Sequence, residues 1–198
     1  MLKKGLFIVV ASVLMVGGIR LSAQVEGQLR SGDLLFVADG GAMSQAVRQS
    51  TGCYSHVALV ERVGDSLFVI DATPALGVAR RPIGSLADRQ SAVDAYRLNI
   101  PFDTAAVIAR AHALVGLPYD DTFLPDNGAY YCSELIQAVF LVDGKPIFAS
   151  SPMNWRDGKG RMPRYWKRHF RKLGMKVPEG LPGTNPTALS LSPLLRRL

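Results

Sequence analysis

The apolar positions of this chain fall into short runs cut by turn residues, and the first run is the longest. Gly5 to Ile19 is almost unbroken apolar sequence behind Lys3 and Lys4, and Leu21-Ser22-Ala23 follows it. A basic start, an apolar stretch of about fifteen residues and a small-residue site together form the pattern of a secretory signal peptide over residues 1–23. The competing reading is an uncleaved membrane anchor, which Leu21 and the nearby Arg20 favour and the shortness of the run opposes. No cysteine follows the run to act as a lipidation site. The signal reading places the mature chain, from Gln24 onward, outside the cytoplasm, in the periplasm, where thiols meet oxidants.

Gln24 to Arg30 is a polar lead-in. Leu34 to Val37, bounded by Gly32-Asp33 and Asp39-Gly40-Gly41, reads as a buried strand, and Ala42 to Gln49 as a short helix. His56 to Glu61 and Leu67 to Asp71 are β-type runs joined by Val63-Gly64-Asp65-Ser66, so they predict an antiparallel hairpin. Thr73-Pro74 ends the second run, and Gly77 to Arg80 and Val93 to Leu98 supply further strands. Asp103 or Thr104 caps a helix that Gly116 and Pro118 stop. A second helix is predicted from Cys132 to about Val142, with apolar positions 135, 136, 139 and 140 on one face before Asp143-Gly144. Strands and helices mixed around an antiparallel sheet predict an α+β fold, one domain over residues 24–198, with 144–198 as a basic C-terminal wrap.

Composition narrows the class. With 198 residues, 48% hydrophobic, 19 Gly, 12 Pro and two Cys, the chain is neither disordered, nor collagen-like, nor a disulfide scaffold. A net charge of +7 invites a nucleic-acid reading, but its distribution weakens it. Residues 1–23 carry +3, residues 24–143 carry −6 and residues 144–198 carry +10. The positive charge therefore belongs to the two ends, and no nucleic-acid recognition motif accompanies it. A peripheral contact with an anionic envelope polymer or lipid headgroups is one use for the basic segment, and simple solvation is the other.

The chemistry must come from few residues, because the chain has three His and two Cys. Cys132 stands at the start of a predicted helix, where free backbone N–H groups and the helix dipole favour a thiolate and its own N–H can meet an oxyanion. His56 opens a strand at the mouth of the hairpin. If the hairpin loop has two or four residues, Ala58 faces Asp71, and Asp71 becomes the diagonal same-face neighbour of His56, about 7–8 Å away between backbones. A carboxylate there orients the imidazole; a three-residue loop would place the two on opposite faces. Cys53, in a loop, is a cleft-wall residue or a disulfide partner of Cys132. A zinc site from Cys53, His56 and Cys132 lacks any paired ligand spacing, so no metal or cofactor is expected. His112 and His169 read as structural or solvated.

Gly32-Asp33-Leu34-Leu35-Phe36, Ser55-His56-Val57-Ala58-Leu59-Val60, Ile70-Asp71-Ala72-Thr73-Pro74, Gly116-Leu117-Pro118-Tyr119-Asp120 and Tyr131-Cys132-Ser133-Glu134-Leu135 occur in this order. Together they resemble the YiiX/YebB-like cysteine hydrolases, a circularly permuted branch of the NlpC-type, papain-like superfamily. Pro178-Glu179-Gly180 and Pro182-Gly183 fit the same family. The resemblance implies a permuted papain-like domain in which the histidine precedes the cysteine. It implies Cys132 as nucleophile, His56 as general base and Asp71, where family members often carry Glu, as the orienting group. Tyr54, Tyr119 and Tyr131 are expected to line the cleft or donate to the oxyanion. The expected activity is cleavage of an amide in peptidoglycan stem peptides or N-acyl amino-acid linkages. The alternatives are a lipid-directed thiol acyltransferase or hydrolase, and a silent binding module with its cysteines in a disulfide.

Overall fold

The computed structural model describes residues 23–86 and 92–198, so all but the last residue of the expected signal segment lies outside them. A six-stranded antiparallel sheet forms the centre, its strands lying side by side in the order Leu195–Arg197, Ala92–Leu98, Leu34–Ala38, His56–Val63, Ser66–Thr73, Gly77–Pro82. The elements run α1 (Ala23–Gln28), β1 (Leu34–Ala38), α2 (Ala42–Thr51), β2 (His56–Val63), β3 (Ser66–Thr73), β4 (Gly77–Pro82) and a 3-10 turn at Ile83–Ser85, then β5 (Ala92–Leu98) and α3 (Thr104–Leu114). They continue with α4 (Cys132–Val139), β6 (Leu141–Val142), β7 (Lys145–Pro146), β8 (Ser151–Pro152), α5 (Arg164–Lys172), β9 (Pro182–Gly183), α6 (Pro186–Ser190) and β10 (Leu195–Arg197). Among the described residues no helix is long and apolar enough to cross a membrane.

The sheet is buried on both faces, which is why β1 reads as an unbroken apolar run rather than an alternating one. Leu34, Phe36, Val57, Leu59 and Ile70 face α3, α4 and α6 in the main core. Leu35, Ala58, Val60 and Val69 point the other way, toward Leu29 and, at the rim, Val25, Ile83 and Leu198. A third cluster, Ala46, Phe123, Tyr131, Trp155, Trp166 and Phe170, lies beneath α2 and α5.

The β2–β3 hairpin has the two-residue loop that the site requires. Val63 pairs with Ser66 and Leu59 with Ile70, and Gly64 takes the positive φ of 57° that the tight turn needs. Gly77, at φ 65°, is equally constrained. A Cβ there would stand 2.3 Å from the Leu117 carbonyl oxygen, so only glycine lets the loop before Pro118 lie against β4.

Three expectations change. The second long helix stops at Val139, because Asp143 and Gly144 (φ 51° and 73°) form a tight turn that pairs Leu141–Val142 with Lys145–Pro146. The stretch after Pro146 wraps the domain but also extends it: Trp155, Trp166 and Phe170 build the third cluster, and β10 pairs with β5. The polar lead-in is in part the short helix α1.

Candidate active site

Cys132 is the first residue of α4, and Tyr131 before it is extended (φ −91°, ψ 167°), so the Cys132 backbone N–H lies in the first turn, where no intrahelical carbonyl meets it. Glu134 holds that turn, its carboxylate accepting from the Tyr131 N–H at 3.4 Å. The apolar face of α4, with Leu135, Ile136 and Val139, anchors the helix in the main core and leaves its N-terminus at the cleft.

His56 is the first residue of β2 and is fixed from behind. The Ser55 N–H and hydroxyl both donate to the Val37 carbonyl, at 2.9 and 3.1 Å, and the Asp39 N–H donates back to that hydroxyl. Across the hairpin, His56 Nε2 lies 2.7 Å from Asp71 Oδ2, the diagonal contact that the two-residue loop allows. The same diagonal step is repeated on the next strand. Arg81 on β4 donates to Asp71 from Nε at 3.0 Å and from Nη2 at 2.5 Å, while its Nη1 donates to the Ser85 carbonyl and, at 3.0 Å, to the Ser85 hydroxyl. Asp71 is completely buried.

The charges follow from this ladder. Burial alone would raise the Asp71 carboxyl, but the hydrogen bonds from His56 and Arg81 hold it down to about 2. Burial pulls the His56 imidazole down, yet hydrogen bonding to Asp71 and Cys132, with their charges, reverses this and pushes it up to about 10. With Nε2 engaged by Asp71, Nδ1 is the ring nitrogen left for Cys132.

Two cavities meet at Cys132. One, about 520 Å³ including its open mouth, is the more polar of the two: His56, Arg81, Asp39, Ser44 and Thr73 share its walls with Met43, Ala72, Pro74 and Leu86. The other, about 430 Å³, is predominantly apolar and is walled by Val47, Phe123, Tyr131, Met153, Trp155 and Trp166. Tyr119 and Ser55 border both. A buried thiol at a helix N-terminus, an imidazole held by a buried carboxylate and a divided cleft are the parts of a papain-like hydrolase, with the histidine earlier in the chain than the cysteine.

The model of the family described as permuted papain-like amidase enzyme, YaeF/YiiX, C92 family, matches residues 28–198. The chain belongs to this family. As a permuted papain-like amidase it is a cysteine hydrolase of the amidase and peptidase type. Among solved structures, the metalloprotein yiiX from Escherichia coli O157:H7 matches with a TM-score of 0.73 at 19% identity, over 86% of this chain and 97% of that one. No curated protein matches the sequence.

For this amidase, the sequence-predicted residues are brought together unevenly. Cys132, His56 and Asp71 converge as the hairpin register requires. Tyr119 and Tyr131 line the apolar cavity, and the Tyr131 hydroxyl accepts from the Thr184 N–H at 3.2 Å. Tyr54 does not reach the cleft. Its ring packs on Phe36 and Tyr96 in the main core, and its hydroxyl donates to Asp94 at 2.5 Å. The reason is that Ser55, not Tyr54, turns toward the cleft where the chain enters β2. Cys53 is exposed and unpaired, lines neither cavity, and forms no disulfide with the buried Cys132. His112 contacts Glu61, and His169 contacts the Asp121 carbonyl, both as structural links.

Arg81 is the site residue that sequence reasoning missed. Its signal was present in the β3–β4 register, which sets Arg81 opposite Val69 and therefore diagonal to Asp71. The described residues of this site offer no set of metal ligands. No three His, Cys, Asp or Glu side chains among the described residues are grouped to hold one, and both Asp71 oxygens are already taken by Arg81 and His56.

Proposed function

We propose that this amidase hydrolyses N-acyl amino-acid linkages through a Cys132-His56-Asp71 triad, with the acyl chain in the apolar cavity and the amino-acid portion in the polar one. The observation that supports this assignment is the position of His56. The group that protonates the leaving amine must stand on the leaving-group side, and His56 lines only the polar cavity. The acyl side of the scissile bond then falls on the side of Phe123, Met153 and Trp155. Arg81 and the Thr73 hydroxyl, which is buried with no hydrogen-bond partner among the described residues, face the amino-acid side.

In this reading the Cys132 thiolate attacks the amide carbonyl, forming a C–S bond and an oxyanion. The Cys132 N–H and the Tyr119 hydroxyl stabilise that oxyanion. As it collapses the C–N bond breaks, and the His56 imidazolium gives its proton to the departing nitrogen. Water then attacks the thioester while His56 takes a proton, releasing the carboxylic acid and restoring the thiolate–imidazolium pair. Asp71 holds the imidazole in orientation throughout. Residues 1–23 support export before the enzyme acts.

The test compares N-dodecanoyl and N-acetyl derivatives of the same amino acids with a peptidoglycan stem peptide, following release of free amine. The dodecanoyl substrates are expected to be turned over most efficiently, with Cys132→Ala reducing turnover by about 10³-fold or more. Cleavage of the stem peptide with no response to acyl length would replace this substrate assignment by a peptidoglycan one. Full turnover by Cys132→Ala would overturn the mechanism.

A further inference from the structure

The surface of α5 is the most segregated charge on the molecule. Its sequence, RYWKRHFRK, holds five Lys and Arg and no acid. At 100° per residue, Arg164, Lys167, Arg168, Arg171 and Lys172 fall within an arc of about 140°, while Trp166 and Phe170 lie on the opposite side. The structure agrees: Trp166 and Phe170 are buried in the third cluster and the five cations are exposed, with Lys176 exposed beyond the helix.

Among the described residues these cations form no ion pair, unlike six arginines elsewhere. Arg80, Arg81, Arg97, Arg156, Arg161 and Arg197 each meet a carboxylate. The two acids nearest α5 in the chain, Asp157 and Glu179, are held by Arg161 and Arg156. No ion pair among the described residues includes a Lys or Arg of α5 or Lys176. Ion pairing among the described residues therefore leaves all five cations of this helix without a carboxylate partner.

We infer that the cationic face of α5 is a docking surface for an anionic lipid bilayer, on which the enzyme sits peripherally. The helix spends its apolar face on the core, so it has nothing to insert; what remains is a one-sided row of cations about 13 Å long. A planar anionic surface can meet all five at once, each contributing about fivefold to partitioning. Nucleic acid is a poorer fit. The aromatic rings that could stack on bases are turned inward, and the half-buried Tyr165 is stacked on His169. The same helix contributes Trp166 to the wall of the apolar cavity beside Cys132. Docking by α5 thus holds that cavity near the membrane, although the binding claim does not depend on the catalytic assignment.

Vesicle partitioning tests it without any substrate. The whole chain and its Lys167→Gln, Arg171→Gln, Lys172→Gln triple variant are mixed with vesicles of phosphatidylcholine alone or with 30% phosphatidylglycerol, so that any contribution from residues 1–23 cancels. The expected result is tighter binding to the anionic vesicles, a loss on the order of 10²-fold in the triple variant, and a similar loss in 0.5 M salt. An unchanged melting temperature shows that the variant is folded. Equal binding to both vesicle types, or binding that survives the triple substitution, overturns the proposal. So does binding of DNA or polyphosphate by a protein that ignores the vesicles.

Discussion

At the scale of single residues, the site is a ladder of three side chains from three adjacent strands, His56, Asp71 and Arg81, with the thiol of Cys132 brought to its end. Arg81 touches no reacting atom; it acts by fixing Asp71. Replacing it with Gln leaves a buried carboxylate with His56 as its one remaining charged partner, and Lys restores the charge without the two-pronged grip. A fall in kcat on the order of 10²-fold is expected for Arg81→Gln, with KM changed much less and only partial recovery in Arg81→Lys. The pH dependence of Cys132 alkylation separates positioning from mere stability. In the native site His56 stays protonated until pH rises through about 10, so the imidazolium's effect on Cys132 labelling should be lost at lower pH in Arg81→Gln than in the native protein. If Arg81→Gln labels and titrates like the native protein while melting lower, its role is structural only.

At the scale of elements, the first turn of α4 carries the second prediction. Burial, reinforced by Asp120 and Asp126, pushes the Glu134 carboxyl up to about 8, against the opposing hydrogen bond from the Tyr131 N–H. A carboxyl raised on folding binds a proton that the unfolded chain gives up. Its contribution to stability is therefore complete below its ordinary value of 4.5 and lost as pH rises through about 8. Glu134→Gln keeps an acceptor for the Tyr131 N–H and cannot ionise. Melting curves of the two proteins should coincide near pH 4.5 and separate by pH 9, with Gln the more stable. The loss of His56 protonation at high pH is common to both and cancels. Parallel curves across that range would show that Glu134 is solvated in its ionised form.

At the scale of the whole molecule, the C-terminal third does more than cover the domain. Trp166 is buried, donates to the Ala46 carbonyl and the Ser50 hydroxyl at 3.3 Å, and walls the apolar cavity. Trp166→Ala should cost roughly 3–5 kcal/mol and lower the melting temperature by about 10 °C or more. Because the same side chain shapes the cavity, the substitution should also flatten any preference for long acyl chains. A retained preference would move the acyl site elsewhere.

How much of this was legible beforehand depended on the range of the interaction. Local patterns were enough for β1 to β5, the capped helix after Asp103 and the helix that begins at Cys132, because turn residues, caps and apolar spacing act over a few positions. For His56 and Asp71 they left a condition, an even-numbered loop, which the two-residue loop at Gly64-Asp65 meets and which sets the register of the whole hairpin. Tyr54 went to the core because side-chain direction at a strand entry is set by the neighbouring strands, which no local pattern encodes. The helix after Cys132 was read too long because a tight turn at Asp143-Gly144 captured its end. Arg81 lies only ten residues beyond Asp71, but its place depends on the β3–β4 register, which Thr73-Pro74 alone does not set; the divided cleft and the union of Trp155, Trp166 and Phe170 with Phe123 join segments far apart in sequence. The amino-acid sequence by itself determined which groups could do the chemistry and how the hairpin aligned two of them. Only tertiary packing decided which charges are neutralised within the fold, which remain on α5, and what shape of substrate the nucleophile can meet.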